Sequence, residues 1–146
     1  TFSVYYNSQP PAPSPSVIVD ANFGNQVTLM GYDLDEADPS DNLPVTLYWR
    51  VDNPPEGNQM PFLHLEDEWG YRWSQKELST YPAEQWMAGD VFIQRAEVPI
   101  PLGTPPGVYR LRVGLYDADD GHQLAHLDSA RRYAGNSYAI DDISLT

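Results

Sequence analysis

Thr104–Gly121 reads TPPGVYRLRVGLYDADDG, and its pattern decides the fold. Tyr109, Leu111, Val113 and Leu115 take every second position. Arg110, Arg112 and Tyr116 fall between them. Period-two alternation of this kind predicts a strand buried on one side and wet on the other. A Pro-Pro-Gly turn opens the run, and Asp117–Gly121 closes it with the residue types of a hairpin turn. The stretch is therefore read as a central strand of a β-sandwich. Tyr109, just past the corner, is placed to hydrogen-bond backbone across it.

Working outward, the same punctuation recurs. The 146 residues include 14 Pro and 10 Gly, set between short apolar runs, and no stretch of twelve or more holds a helical period. Expected strands are 17–21, 26–34, 43–51, 61–66, 71–76, 90–98, 108–116, 122–127 and 137–146, with a further short one near 2–6. Asn22–Asn25 reads as a turn. Val27 and Leu29 are expected on one face of their strand, with Met30 and Tyr32 on the other. Trp49 shares a face with Val45, Leu47 and Val51, so it belongs in the centre of the core. Leu63 and Leu65 point the same way, and Trp86 is expected to plug one end. The fold class is all-β, an antiparallel sandwich of seven to nine strands at roughly ten-residue spacing. Residues 1–16, with the Pro/Ser run at 9–16, are expected as an extended segment or linker, and 17–146 as the sandwich domain.

Net charge is −13 and the pI about 4.2. An acidic surface of this size opposes binding to nucleic acid or anionic membrane. The chain has no cysteine, which removes disulfides, thiol catalysis and zinc–thiolate sites and suits a bacterial extracytoplasmic domain. No apolar run reaches membrane-span length, and no secretory signal is present. A chain starting at Thr1 is expected to be a processed protein or a piece of a longer one.

With the strands laid out, the chain resembles the immunoglobulin-like β-sandwich domains at the C-termini of bacterial multi-pass membrane proteins of the dolichyl-phosphate-mannose mannosyltransferase type. The resemblance rests on Asn22-Phe23-Gly24-Asn25, Gly31-Tyr32-Asp33-Leu34 and Val45–Trp49. It continues through His64-Leu65, Tyr81-Pro82, Trp86 and Gly89 to Pro105–Leu111 and Val113–Asp117. It spans roughly 20–145. It implies the sandwich, an extracytoplasmic setting on a membrane-embedded, glycosyltransferase-like parent, and no catalytic residues, the domain being an appendage. Ala139–Leu145 is also similar to the closing strand of jelly-roll carbohydrate-binding modules. The substrate-recognition domains of O-antigen transporters share the general pattern of turns. The chain departs from the first family at one hairpin tip. Small or polar residues are usual there, and this chain has Glu68-Trp69-Gly70-Tyr71-Arg72-Trp73.

That departure supplies the candidate site. Trp69, Tyr71 and Trp73 alternate, which would put them on one side, and Gln75 and Glu77 continue the series. Aromatic faces stack on the C–H faces of sugar rings while amides and carboxylates bond hydroxyls, so these residues suit a glycan platform. The competing reading makes Trp73 core and leaves only Trp69 exposed, at a lattice or domain contact. Metal chemistry finds less support. Asp33–Asp41 is acid-rich, but it lacks the order and the turning glycine of a calcium loop. Asp117–Gly121 reads as a turn. His122 and His126 lie ~13 Å apart if extended, too far to share an ion. Neither a Gly-x-Ser-x-Gly elbow nor a phosphate-binding glycine loop occurs. The expected function is a non-catalytic, cofactor-free accessory domain whose possible ligand is carbohydrate, with Trp69, Tyr71, Trp73 and Gln75 as its site. The alternative is a structural or protein-interaction module, and a hydrolase ranks last. Neither strand order nor oligomeric state follows from local pattern.

Overall fold

Short β-branched and aromatic runs separated by Pro and Gly fold as strands. The computed structural model describes residues 2–5, 15–35, 42–78 and 83–145. Among these residues eleven strands follow in order: β1 (Phe2–Tyr5), β2 (Val17–Phe23), β3 (Val27–Leu34), β4 (Asn42–Val51), β5 (Gln59–Glu66), β6 (Arg72–Glu77), β7 (Val91–Pro99), β8 (Gly107–Asp117), β9 (His126–Leu127), β10 (Tyr133–Gly135) and β11 (Tyr138–Leu145). A single 3-10 turn, Ala83–Gln85, lies between β6 and β7. Eight strands have six or more residues, and β1, β9 and β10 are short additions.

Two antiparallel sheets result, so the all-β sandwich class expected from the sequence is the observed one. The larger runs β1-β7-β4-β3-β2-β9-β10 and the smaller β11-β8-β5-β6. The core fills the space between them. Phe23, Val27, Leu29, Leu47 and Trp49 enter from the large sheet, and Leu63, Leu65, Leu111, Val113 and Leu115 from the small one, all fully buried. Each such side chain contributes roughly 1.5–3 kcal/mol by leaving water. Trp49 sits at the centre as its alternation predicts. Its ring centroid lies 6.0 Å from that of Phe23 and 6.4 Å from that of Phe92, and its Nε1 donates to Gln94 Oε1 at 2.8 Å. Trp86 closes one end, 5.1 Å from Phe92. Tyr109 makes the corner bond, its hydroxyl donating to the Pro105 carbonyl at 2.6 Å.

Four local expectations are corrected. Asn22 and Phe23 belong to β2, and Phe23 is core. The connection is Gly24-Asn25-Gln26, between the paired Phe23 and Val27; Gly24 and Asn25 both take positive φ (61° and 58°), and Gln26 N donates to Phe23 O at 3.0 Å. That is the geometry right-twisted hairpins favour. Tyr32 does not share a face with Met30. The β3–β4 register shifts between Leu29 and Gly31, so Met30 is an extra residue that rephases the strand. Tyr32 thereby turns into the core. Its hydroxyl crosses to the other sheet and donates to the Ile140 carbonyl at 2.8 Å. Burial, helped by the charge of Asp141, pushes that phenol up to about 12. The third correction concerns 122–127. The turn forms and Leu124 N reaches Leu115 O at 2.9 Å, but His126–Leu127 then leaves β8 and pairs with Asn22 and Phe23 of β2 in the opposite sheet. Finally, the short strand expected near 2–6 forms at 2–5, but it pairs with β7 from Phe2↔Gln94 to Tyr5↔Val91, in the large sheet rather than apart from it. Residues 6–14 lie outside the described residues.

Candidate functional site

The aromatic hairpin is built on Asp67. Its backbone N–H donates to Tyr71 O at 2.9 Å, and Gly70 N donates to Asp67 O at 3.0 Å. Gly70 takes a φ of 83°, which a glycine adopts without steric cost. Asp67 Oδ1 accepts from the backbone N–H groups of Trp69 and Tyr71, both at 2.9 Å. Asp67 Oδ2 accepts from Trp73 Nε1 at 3.0 Å. These bonds, that from Trp73 first, hold the carboxyl below the usual range. One acid therefore fixes the tip and leaves Trp69 and Tyr71 in solvent, 84% and 62% exposed.

The four sequence-predicted residues do not form one row. Tyr71 and Trp73 meet edge to face, with centroids 5.1 Å apart at 72°. The β5–β6 register shifts between Leu65 and Glu66, with Arg72 opposite Glu66 and Ser74 opposite Leu65. Trp73 is thus the extra residue and packs half-buried against the core. Beyond the bulge Gln75 stands opposite His64, and Glu77 opposite Phe62, on the outer face of the small sheet. Trp69 and Tyr71 stay at the tip, Trp73 leans inward and Gln75 joins a different surface.

That outer surface went unread in the sequence. It carries a charge ladder at one end, where Glu66 pairs in register with Arg72 and Arg110, and Arg110 with Asp142. Next comes an aromatic cluster. Phe62 lies 4.4 Å from the His64 ring and 6.1 Å from that of Tyr116. Arg72 Nη1 is 3.2 Å from His64 Nε2. Burial first, then the charges of Arg72 and Arg112, push His64 down to about 4. The Tyr116 phenol is raised by burial and by the neighbouring Glu77 carboxylate. A shallow depression of about 190 Å³ opens among these side chains. The available signal was phase: Phe62, His64 and Tyr116 all occupy outward positions of their strands.

Two larger cavities lie elsewhere. One of about 750 Å³ is lined by Asp33, Tyr48, Lys76 and Arg95 among others, and Asp35 and Leu78 in its wall are the last described residues before 36–41 and 79–82. Burial would raise Asp33, but hydrogen bonds from Ser16 and Tyr48, with Arg95 nearby, outweigh it and lower the carboxyl. The other, about 420 Å³, contains Arg50 and Asp52, whose Nε and Oδ1 pair at 2.8 Å. The acid-rich loop falls mostly on 36–41, outside the described residues. In Asp117–Gly121 the carboxylates bind their own turn: Asp117 Oδ1 accepts from Asp119 N at 2.9 Å and Asp120 Oδ1 from His122 N at 2.8 Å. His126 packs between Phe23 and Tyr138, 5.5 and 5.1 Å away. Among the described residues no group of three or more His, Asp or Glu could hold a metal ion.

No protein-family model and no curated protein matches the chain. Among solved structures it is similar to the crystal structure of the C-terminal domain of wzt, with a TM-score of 0.54 and 15% identity over 94% of this chain and 87% of that one. At that identity the likeness establishes a shared architecture, the two-sheet β-sandwich built above.

Proposed function

We propose that this domain is a non-catalytic carbohydrate-recognition module, carried on the extracytoplasmic side of a bacterial membrane protein of the glycosyltransferase-like type. One observation carries the reading. Two large rings, Trp69 and Tyr71, stand in solvent on a turn that Asp67 and Trp73 hold rigid. A domain that only needed to turn the chain would have no use for them, and exposed large aromatics mark binding surfaces. A turn whose backbone is already fixed loses little entropy on contact, which suits stacking on a weakly held sugar. The sequence resemblances to glycosyltransferase-associated and sugar-binding sandwiches support the setting.

The second reading, a protein-contact module, draws on a different observation: none of the three cavities above is lined by Trp69 or Tyr71. A glycan array probed with wild type and Trp69→Ala separates them. Glycan recognition predicts at least one bound sugar class and a loss of about tenfold or more on substitution, with thermal stability changed little because the side chain is exposed. A wild type that binds nothing on the array would sink the proposal and leave the protein-contact reading.

A further inference from the structure

The small sheet's outer face carries a second surface that neither the aromatic tip nor the core explains. We infer that the depression among His64, Arg72, Gln75, Glu77 and Tyr116 is a subsite for one neutral, hydroxyl-rich ring. The inference rests on the carbohydrate reading above and adds a second point of contact to it.

Size comes first. At about 190 Å³ the space is below the ~300–1,000 Å³ of pockets that take drug-sized ligands, so a single ring is what it can hold. Shape follows from the floor. Phe62 lies against β8 at Gly114, where a Cβ would sit 2.5 Å from Phe62 Cζ and 2.9 Å from the Asn136 carbonyl. The missing side chain lets the phenyl ring lie low, with the His64 and Tyr116 rings flanking it.

Chemistry selects the ligand class. A guanidinium has only donors, so at 3.2 Å Arg72 Nη1 donates and His64 Nε2 accepts. The His64 proton then sits on Nδ1 and the ring is neutral. Arg72 and Glu77 contribute opposite charges to one wall. Arg112, opposite His64 in register, spends its Nε on Ser137 Oγ at 2.7 Å. The amides of Gln75 and Gln123 each offer a donor and an acceptor. Balanced donors and acceptors without net charge match hydroxyl groups. They do not match a phosphate or carboxylate, which would leave Glu77 repelled, nor a cation, which would meet Arg72.

Position links the two sites. Arg72 follows Tyr71 directly, and Gln75 is four residues on, ~10 Å along the strand once the extra residue Trp73 is set aside. A glycan chain stacked on Tyr71 can lay its next units toward Gln75, and two weak contacts on one ligand reinforce each other.

The test is a titration of the full chain with D-glucose, D-galactose, D-mannose and D-glucuronic acid, followed by amide chemical shifts in two-dimensional NMR. The expected result is saturable shifts at Arg72, Gln75, Tyr116 and Gln123 with at least one neutral hexose. Gln75→Ala and Tyr116→Phe should each weaken that binding about tenfold. Trp69→Ala should leave monosaccharide binding unchanged while weakening an oligosaccharide. Circular dichroism checks that each variant is folded, and Glu77→Gln serves as a second, isosteric probe of the same wall. No saturable shift at these amides, or a preference for glucuronic acid, overturns the subsite. Shifts confined to 69–73 overturn it too while leaving the carbohydrate reading intact. Shifts at Gln75 that survive Trp69→Ala uphold the subsite even if the tip binds nothing.

Discussion

His64 shows how one side chain can report on the whole small sheet. In the unfolded chain it takes up a proton near pH 6.5. Folded, it does so only near pH 4, because burial and the Arg72 and Arg112 charges oppose the imidazolium. Between those values the unfolded state binds more protons, so stability falls as the pH drops through the window. His126, also lowered, by burial first, adds to the same slope. Urea denaturation of wild type and His64→Gln at pH 7 and pH 4.5 measures the effect. The loss of stability on acidification should be smaller in the variant. An equal loss in both would mean that burial and the Arg72 and Arg112 charges do not hold the ring neutral. The depressed carboxyls of Asp33 and Asp67 act the same way at more acid pH, so the mid-acid window belongs to the histidines.

At the scale of elements, alternation was legible and interruptions were not. Leu47, Trp49 and Val51 in β4, and Tyr109 to Leu115 in β8, could be assigned to the core from spacing alone because those strands keep period two throughout. Met30 and Trp73 broke the reading. Each is one residue too many on its strand, and nothing in residue type distinguishes a bulge from an ordinary position. For that reason the aromatic series at 69–77 looked like a single row and is in fact divided, with Gln75 assigned to a platform it does not share with Trp69. The exposure of Trp69 itself was legible, since a Glu-Trp-Gly turn has no buried face to offer. The bulge at Met30 also has a consequence for chain length. Removing Met30 leaves Val27, Leu29, Tyr32 and Leu34 on one face, since the extra residue is the one lost. Removing Thr46 from the regular β4 inverts every side chain from there to one strand end. The Met30 deletion should fold, with reduced stability, and the Thr46 deletion should not, as judged by far-ultraviolet circular dichroism and a cooperative melt. Equal damage from both would argue against the register described.

Across the whole molecule, pairing over long separations was invisible in the sequence. Which strands neighbour which depends on packing of surfaces far apart in the chain, and β9 belonging with β2 is the plainest case. After β8 the chain leaves the small sheet, lays β9 and β10 along the edge of the large one, and returns as β11 beside β8. The Tyr32 hydroxyl reaches across to the Ile140 carbonyl of that returning strand. The two layers are therefore laced together by covalent chain and by hydrogen bond, and neither can open alone without exposing the other's inner face. Energetically this makes the sandwich one unit: damage anywhere in the shared core is felt everywhere at once. Trp49→Ala, a change in the large sheet, should cost ~3–5 kcal/mol. Denaturation followed by far-ultraviolet circular dichroism and by an amide of β5 in the small sheet should shift to the same new midpoint. Two separate midpoints would mean that the lacing is loose. The proposed recognition surface, spread over a hairpin tip and a sheet face, would gain from such unity, since its two halves then keep a fixed distance for as long as the protein is folded.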